Sequence, residues 1–457
     1  MEHTSQVILI SHNQHHTEVC ASAARISTTQ GDAAELFEKA AGNEKNSPLI
    51  GKVLQSGHKS VIEHAIFTFA FRNVSAFVEQ FFIESRLASF TVKSRRYVDF
   101  SKQGYYIPGE LPEDAHNRYC AYMDLLFDGY QRLLDLDIPR EDARFVLPYS
   151  FHSNFYCTLN ARELAHIIQE IRKGRGQGIT ELSQIADSMT AQVLELFPAM
   201  EAEFQTLPSG SFTGTHSFEN ANADNMTISN AFQVTEKTEF IPAADIGAVA
   251  LLNAPSEPAA ILDLACALSQ PGSKPDYRRL VTSDRPRELE QLSYCFRISD
   301  LTLSGITHLV RHRMQSILVP SISGLNHSRF ILPDTISGKP EAEKLYRSTL
   351  EAANDLLLQF GNDPALRPYS HYFAVSGNMM DILTTMNARE LLHFLKLRTC
   401  SRAQWEIRDI SIDLLLKLRE SFPELFCLYG PSCFVTGRCP EGRMTCGKIN
   451  EIRKQFS

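Results

Sequence analysis

Apolar residues recur at two different spacings along the chain, and each spacing predicts one type of element. At 119–134 and 345–360 they recur every three to four residues, which predicts two amphipathic helices. The segments VILI at 7–10 and FTFAF at 67–71 are instead typical of strands. Further helices are predicted at 163–171 and 390–397. The chain is therefore predicted to be α+β, with helices and a small sheet in each half.

A ten-residue segment occurs twice with little change. LNARELAHII at 159–168 recurs as MNARELLHFL at 386–395, and NAREL is identical in both. Two further pairs follow the same order along the chain, FTFAFR with LSYCFR and ESRLAS with RHRMQS. Because several matched segments occur in the same order in both halves, we favour an internal duplication. The alternative is two unrelated segments that share one match by chance.

The duplication divides the chain into two domains of similar length. We predict an N-terminal domain at 1–207, a linker at 208–240 and a C-terminal domain at 241–457. The stretch at 208–230 is rich in Gly, Ser, Thr and Asn, a composition typical of linkers and long surface loops.

Composition and charge narrow the function classes. The 457 residues are 43% hydrophobic and 21% charged, as in ordinary globular proteins, and the net charge is −8. A general binder of nucleic acid or of anionic membranes carries a basic excess, so the charge argues against both. No apolar run reaches the length of a membrane span, and the N-terminus lacks a signal-peptide pattern. We therefore predict a cytoplasmic protein without nucleic-acid or membrane partners.

A cluster of cationic side chains follows a mostly apolar stretch in the second half. Arg311, His312 and Arg313 come directly after LSGITHLV, at the end of a predicted buried element. Burying guanidinium groups is costly unless an anion neutralises them, and arginine binds phosphate in a planar, bidentate manner. A phosphate- or pyrophosphate-bearing ligand and a buried structural salt bridge both account for this pattern.

The first half offers a different set of anion-binding groups. Ser89, Ser94 and Arg96 in SRLASFTVKSRRY have the side chains of a phosphate cradle, although a basic surface face gives the same pattern. His58 and His64 in GHKSVIEH are candidates for ligand contacts, with hydrogen-bonded packing as the alternative.

Cysteines are concentrated near the C-terminus. Cys427, Cys433, Cys439 and Cys446 lack the CxxC pairs typical of zinc sites. The spacing favours free or packing cysteines over a zinc–thiolate site, and we predict no metal. The single tryptophan, Trp405 in AQWEIRD, is predicted to belong to the core.

Together these segments resemble the flavin-dependent thymidylate synthases, the ThyX family. The family signature RHRxxSxNxxSxR is preceded by an HxSPFEH-like segment and followed by an arginine before VLP, by NxRSLxNFLxLR and by AQWEIR. This chain carries GHKSVIEHAIFTF, ARFVLP and NARELLHFLKLRTCSRAQWEIR. The resemblance spans nearly all of both halves. It implies two tandem α+β domains, each a small, mainly antiparallel sheet packed with long helices.

The first half keeps only part of the signature. It has Glu84 and Ser85 where the family has the first Arg and the His, but it keeps Ser94, Arg96 and Arg144. The later helix arginine is replaced, because Ile171 stands at its position.

The second half shows the complementary losses. It keeps the RHR residues and Arg398, but His371 stands where the arginine before VLP is expected and Ser323 replaces the last arginine of the signature. In the family the site lies between subunits, so the complementary losses indicate one composite site shared by the two halves.

The resemblance implies reductive methylation of dUMP to dTMP, with FAD as cofactor and with NADPH and methylenetetrahydrofolate as co-substrates. The residues implied to act in catalysis are Arg398 and Ser94. The residues implied to bind the nucleotide are Arg96, Arg144, Ser94, His308, Arg311 and Arg398. The residues implied to bind or line the flavin are Arg311, His312, Arg313, Asn387, Arg389, His393, His58, Ser60 and Glu63.

Two alternatives stay open beside this prediction. One is a ThyX-related flavoenzyme that acts on another pyrimidine nucleotide or uses another donor, since Thr91, Leu318 and His393 replace asparagines of the signature. The other is a catalytically silent homologue that binds a nucleotide. The expected assembly is a homodimer of two-domain chains that mimics the family's tetramer.

Overall fold

The computed structural model describes residues 4–205, 233–272, 274–361 and 363–457. The loop predicted at 208–230 lies outside these residues. By its internal contacts the chain forms two compact units, which we call unit 1 and unit 2.

Each unit takes a segment from the other half of the sequence. Unit 1 consists of the described residues within 1–135, 146–236 and 349–375. Unit 2 consists of the described residues within 136–145, 237–348 and 376–457. Arg144 of the first sequence half therefore belongs to unit 2, and His371 of the second half belongs to unit 1.

Unit 1 is built around a four-stranded antiparallel sheet. Its strands are β1 (Gln6–His12), β2 (Ile66–Ser75), β3 (Ser89–Val92) and β4 (His152–Asn160). They are hydrogen-bonded in the order β1-β2-β4-β3. Alternate side chains of β2 enter the apolar core, as expected of a strand with one buried face. The strands predicted at 7–10 and 67–71 are confirmed.

Unit 2 contains a second four-stranded antiparallel sheet and a parallel pair of strands. The strands are β5 (Glu239–Pro242), β6 (Val249–Asn253), β7 (Ser293–Thr302), β8 (Gln315–Leu318), β9 (Arg329–Leu332) and β10 (Met379–Asn387). The sheet has the order β6-β7-β10-β8, and β5 pairs with β9. Strand β5 begins near the end of the predicted linker.

Helices account for most of the remaining secondary structure. Those of the first sequence half are α1 (His16–Ile26), α2 (Ala33–Ala40), α3 (Asn46–Gln55), α4 (Ala76–Ile83), α5 (Glu113–Asp135), α6 (Arg140–Ala143), α7 (Ala161–Lys173), α8 (Thr180–Leu196) and α9 (Glu201–Gln205). Those of the second half are α10 (Pro258–Ser269), α11 (Tyr277–Thr282), α12 (Leu303–Leu309), α13 (Asp334–Ser337), α14 (Pro340–Phe360), α15 (Ser370–Phe373), α16 (Ala388–Arg398), α17 (Trp405–Ser421), α18 (Pro423–Phe426), α19 (Ser432–Val435) and α20 (Ile449–Phe456).

The helix predictions are confirmed. The amphipathic segments at 119–134 and 345–360 lie within α5 and α14, and the two NAREL segments open α7 and α16. Within the described ranges, no helix is both long and apolar enough to cross a membrane. Helices packed on small antiparallel sheets confirm the predicted α+β class.

The two sheets repeat even an unusual backbone feature. Asn73 in β2 and Asp300 in β7 both have a φ of 52°, a left-handed conformation that few non-glycine residues adopt. They are separated by the same sequence offset as the two NAREL segments. Two residues further on, Ser75 and Thr302 each cap the next helix with a side-chain oxygen. The internal duplication is therefore confirmed in the fold.

Candidate active site

Arg398 lies at the last position of α16, in unit 2. Asn387 caps the start of the helix, and its Oδ1 accepts a hydrogen bond from the Glu390 backbone N–H at 2.9 Å. The half-buried Arg398 side chain donates from Nε to Nε2 of His312 at 3.0 Å. Its Nη2 donates to the carbonyl oxygen of His308 at 3.2 Å. Two acceptors at the C-terminal end of α12 and in the following turn thus orient the guanidinium.

His312 links Arg398 to a carboxylate. Its Nδ1 lies 3.2 Å from Oε1 of Glu390, and both side chains are buried. An arginine N–H only donates, so Nε2 of His312 accepts and Nδ1 carries the proton. Burial lowers the pKa of His312 below 6.5; the hydrogen bond to Glu390 opposes this effect, and the charge of Arg398 adds to it. His312 is therefore a neutral imidazole at neutral pH.

The turn that carries His312 packs against α16. The His312 ring contacts His393 and Phe394 edge-on, with centroid distances of 5.8 Å and 4.9 Å. Arg311 and Arg313, on either side of His312, are exposed. The structure thus brings together the predicted site residues His308, Arg311, His312, Arg313, His393 and Arg398.

The two other predicted residues of α16 make contacts within the protein. Asn387 caps the helix, as described above. Arg389 is half-buried and forms an ion pair with Glu290, in the 3₁₀ turn Arg287–Gln291. Both lie at the opposite end of α16 from Arg398.

Arg144 is buried in unit 2, near a buried carboxylate of its own segment. Its Nε donates to the carbonyl oxygen of Glu141 at 3.0 Å. Asp142 accepts from Nε1 of Trp405 at 2.7 Å and from Oγ1 of Thr335 at 2.6 Å. Burial raises the pKa of Asp142, while the charge of Arg144 acts in the opposite direction. These bonds fasten 136–145 to residues of the second sequence half.

Glu406 is a second buried carboxylate near Arg144. It accepts from the backbone N–H of Thr302 at 2.8 Å and from its Oγ1 at 2.7 Å. Burial raises the pKa of Glu406 to about 7, against the effects of Thr302 and of the Arg144 charge. The preceding residue, Trp405, is half-buried, with its ring 6.4 Å from that of Phe145.

The predicted phosphate cradle of the first half lies in unit 1, directly after β3. Oγ of Ser94 accepts from the backbone N–H of Arg96 at 3.3 Å, and both residues are half-buried. Arg95 between them is buried and pairs with buried Glu79 at 2.8 Å. Arg95 therefore anchors the segment, and Ser94 and Arg96 are its more accessible members.

Unit 1 also contains a cavity of about 620 Å³. Predicted residues His58, Ser60 and Glu63 are all exposed, and of these Glu63 lines the cavity. The cavity lies at the first-half counterparts of the RHR turn and of α16, and does not include Ser94 or Arg96.

Opposite charges pair across the lining of this cavity. The ion pairs are Arg162 with Glu63 at 2.5 Å, Lys59 with Glu203 at 2.8 Å, and Arg175 with both Glu84 and Glu170. Three of the cations that line the cavity, Lys59, Arg162 and Arg175, already have carboxylate partners, which makes them less suited to bind an anionic diphosphate.

The C-terminal cysteines are all free thiols. Cys427 is exposed, Cys433 is buried, and Cys439 and Cys446 are partly exposed. Among the residues that the structure describes, no three His, Cys, Asp or Glu side chains are arranged to hold a metal ion.

Sequence reasoning missed Glu390. Asn387 followed by Glu390 has the spacing of a capping box, so the pattern indicates a helix start and nothing more. The contact of Glu390 with His312 joins residues 78 positions apart and depends on how the turn docks on α16. Sequence reasoning also missed the buried carboxylates Glu406 and Asp142. An acidic residue within a mostly apolar segment is the sequence signal that could have identified them.

Comparisons with known proteins identify the family of the two sequence copies. The family model described as thymidylate synthase complementing protein matches residues 8–199 and 251–424. The flavin-dependent thymidylate synthase of Geobacter sulfurreducens is 34% identical over 173 residues, which cover 37% of this chain and 74% of that protein. The enzyme of the same name from Clostridium tetani is 30% identical over 218 residues, 44% of this chain and 87% of that protein.

One solved structure is also similar over part of the chain. It is a UMP/dUMP methylase PolB from Streptomyces cacaoi bound with 5-Br dUMP, 27% identical, with a TM-score of 0.37. The match covers 44% of this chain and 95% of that chain. The two family-model matches together span most of this sequence, and each falls on one copy of the duplication. The chain therefore belongs to the flavin-dependent thymidylate synthase family, and it carries two copies of the family's domain.

Proposed function

We propose that the protein catalyses the reductive methylation of dUMP to dTMP, with methylenetetrahydrofolate as carbon donor and NADPH as reductant. The family membership supports the reaction class. The observation that carries the assignment to unit 2 is the orientation of Arg398 by His312 and by the His308 carbonyl. An arginine held in this way is suited to stabilise a negative charge that develops on a pyrimidine ring.

Arg398 acts electrostatically in this proposal. Its guanidinium stays protonated at every working pH, so it supplies positive charge and N–H donors without a proton transfer of its own. Its bonds to His312 and to the His308 carbonyl limit rotation of a side chain that is otherwise flexible. Donors oriented before the substrate binds need no reorganisation during the reaction, which is the source of their catalytic effect.

The residues of unit 2 fit a flavin dinucleotide. Arg311 and Arg313 are exposed on one turn, and guanidinium groups bind phosphate oxygens in a bidentate manner. We propose that these two arginines hold the diphosphate, and that Asn387, Arg389 and His393 line the rest of the site. FAD, when bound there, supplies the hydride that reduces the transferred carbon.

The equivalent positions of unit 1 do not fit the same group. Glu84 stands where Arg311 stands in unit 2, and it pairs with Arg175. A carboxylate at this position repels a diphosphate. We therefore propose one flavin per chain, bound by unit 2.

We propose that the surviving residues of both sequence copies serve one nucleotide site. Arg96 and Arg144 bind the phosphate, Ser94 lies beside the pyrimidine, and Arg398 faces the ring. The complementary losses in the sequence support this proposal, as does the presence of Arg144 within unit 2 beside residues of the second copy. His58, Ser60 and Glu63 are proposed to line the flavin or folate side. We also propose that the chain forms a homodimer.

A second candidate keeps the flavin and changes the nucleotide. Leu318 replaces the signature asparagine at the end of β8, and its side chain is 54% exposed. A methylase acting on another pyrimidine nucleotide, such as UMP, is consistent with the loss of this polar group, because a missing hydrogen bond changes which substrate a site selects.

Absorbance spectroscopy and tritium release together test the proposal. Purified protein with FAD should show a flavin spectrum that NADPH bleaches, and tritium should be released from dUMP labelled at the 5-position in the presence of methylenetetrahydrofolate. Release from labelled UMP instead of dUMP favours the second candidate. Protein that takes up no flavin contradicts both candidates.

A further inference from the structure

We propose that Glu390 is a positioning residue that acts through His312 to orient the guanidinium of Arg398. The three side chains form a directional hydrogen-bond chain within unit 2, from Arg398 to His312 to Glu390. This inference rests on the proposed role of Arg398, and its test below separates the failure of one from the failure of the other.

The direction of the chain follows from the chemistry of its ends. Nε of Arg398 lies 3.0 Å from Nε2 of His312, and an arginine nitrogen only donates. Nε2 therefore accepts, and the single ring proton is on Nδ1. That proton points to Oε1 of Glu390 at 3.2 Å, where an ionised carboxylate only accepts. The chain thus selects one tautomer of His312.

Packing holds the imidazole plane. His312 and Glu390 are buried, with 5% and 7% of their surface exposed. The ring packs on α16, which carries Glu390 and Arg398 and also His393 and Phe394, whose rings meet the imidazole edge-on. A buried ring with both nitrogens bonded has little freedom to rotate, so it presents Nε2 to Arg398 in one direction.

Both nitrogens of His312 are used within the protein. A ring in this state has no N–H left to donate to a ligand phosphate. The proposal therefore assigns the histidine of the RHR turn to arginine positioning, and leaves direct phosphate contact to Arg311 and Arg313.

The first copy provides an internal comparison. Its NAREL segment keeps the carboxylate as Glu163, with its backbone N–H bonded to the Asn160 side chain at 2.9 Å, as in unit 2. Ser85 stands at the position of His312, and Ile171 stands at the position of Arg398. The first copy therefore lacks both residues that Glu390 is proposed to act on. Glu163 is then a matched control: it has the same local sequence and helix position, and Ile171 stands at the position equivalent to Arg398.

The hydrogen-bond chain from Arg398 to Glu390 requires a neutral His312, so enzyme activity should depend on pH. Protonation of His312 would place a second N–H against the Arg398 N–H and break the contact. The charged and titratable groups facing His312 are Glu390, His393 and Arg398 on α16, His308 on α12, and its own neighbours Arg311 and Arg313. Activity should therefore fall on the acid side as His312 protonates.

Replacing Glu390 by Gln keeps an acceptor for Nδ1 and removes the charge. The negative charge of Glu390 raises the pKa of His312, so loss of that charge lowers this pKa further. The acid limb of kcat/KM should move to lower pH in Glu390→Gln. Loss of a structural contact alone would lower activity or stability without moving the limb in this direction.

The activity test compares wild type with Glu390→Gln, Glu390→Ala and the control Glu163→Gln in pH profiles of tritium release from labelled dUMP. We expect Glu390→Ala to lower kcat/KM by on the order of 10- to 100-fold, as for a small misplacement of a catalytic group. Glu163→Gln should behave as wild type. A Glu390→Gln profile that coincides with that of wild type, or moves to higher pH, overturns the proposal.

A second measurement needs no turnover. Long-range ¹H–¹⁵N spectra of protein with ¹⁵N-labelled histidine, with His312 assigned by its loss in His312→Gln, report the tautomer of the ring. We expect the neutral ring with its proton on Nδ1, which becomes disordered between tautomers in Arg398→Ala. A proton on Nε2 overturns the proposal. Absence of turnover in wild type with the expected tautomer contradicts the proposed function alone.

Discussion

The two copies of the domain share one scaffold and differ in the turn after α4 or α12 and at the end of the helix that begins with the NAREL segment. In unit 2 the turn after α12 carries Arg311 and His312, and the helix that packs on it ends in Arg398. In unit 1 the corresponding positions hold Glu84, Ser85 and Ile171. The four-stranded sheet, the helix caps and the buried glutamate three residues after the cap, Glu163 or Glu390, occur in both units.

The difference shows which residues the fold requires and which the chemistry requires. Asn160 and Asn387 cap equivalent helices with the same 2.9 Å hydrogen bond, so both copies need this cap. Ile171 is buried, which shows that the scaffold accepts an apolar residue at the position of Arg398. An apolar residue at this position is therefore compatible with the fold, which is consistent with the functional role that we propose for Arg398.

The largest difference between the two copies is expected at Arg398. Replacing Arg398 by Ala should lower kcat/KM by on the order of 10²- to 10³-fold, the usual effect of removing an oriented donor to a developing charge. Steady-state tritium release from labelled dUMP measures this. Arg172→Ala, next to the equivalent position in unit 1, is the control and should keep activity near that of wild type. Unimpaired turnover in Arg398→Ala would refute the assigned role.

Arg313 in the second copy and Arg86 in the first copy occupy equivalent positions of the duplicated sequence. Arg313→Ala should weaken flavin binding by about 10- to 100-fold, because a hydrogen bond to a charged group contributes about 1.5–3 kcal/mol. Arg86→Ala should leave flavin binding unchanged. Equilibrium dialysis with absorbance detection measures both. Equal losses in the two variants would show that both copies bind flavin.

Buried Glu406 gives unit 2 a pH-dependent stability. Burial raises its pKa to about 7 from 4.5, so its contribution to stability is complete below pH 4.5 and is lost as the pH rises through 7. The free energy of unfolding should fall by at most about 3 kcal/mol over this range from this residue. Thermal unfolding of wild type and Glu406→Gln between pH 4.5 and 7.5 should show a smaller slope in the variant. Identical slopes would contradict the raised pKa.

The smallest effect is expected in unit 1. Glu84→Ala removes the ion pair with Arg175, whose side chain is 40% exposed, and partly exposed pairs contribute at most about 1 kcal/mol. Turnover and flavin binding should stay as in wild type, because the proposed site does not use Glu84. A gain of a second flavin in this variant would show that the carboxylate alone excludes the cofactor from unit 1.

Local patterns in the sequence predicted the elements well. Apolar spacing predicted α5 and α14, and the repeated NAREL segments predicted that α7 and α16 are equivalent. The RHR turn was predicted to end a buried element, and His312 is indeed buried against α16. These features depend on residues close together in the chain, where periodicity and capping determine the structure.

Long-range contacts could not be predicted in this way. Asp142 and Trp405 are 263 positions apart and join through one hydrogen bond of 2.7 Å, and nothing in either local sequence indicates the other. Residues 136–145 belong to unit 2 and residues 349–375 belong to unit 1. This exchange also depends on long-range contacts, so local sequence patterns did not predict it. The sequence around Glu390 indicates only a helix start, and its role as an acceptor for His312 depends on how the turn docks on α16.

The number of ligands bound per chain tests the central claim most directly. Flavin absorbance per mole of chain, followed by calorimetric titration of the flavin-loaded protein with dUMP, counts both ligands. One flavin and one dUMP per chain are predicted, because only unit 2 keeps the cationic turn and Arg398. Two flavins and two nucleotides per chain would contradict the division of roles between the two copies.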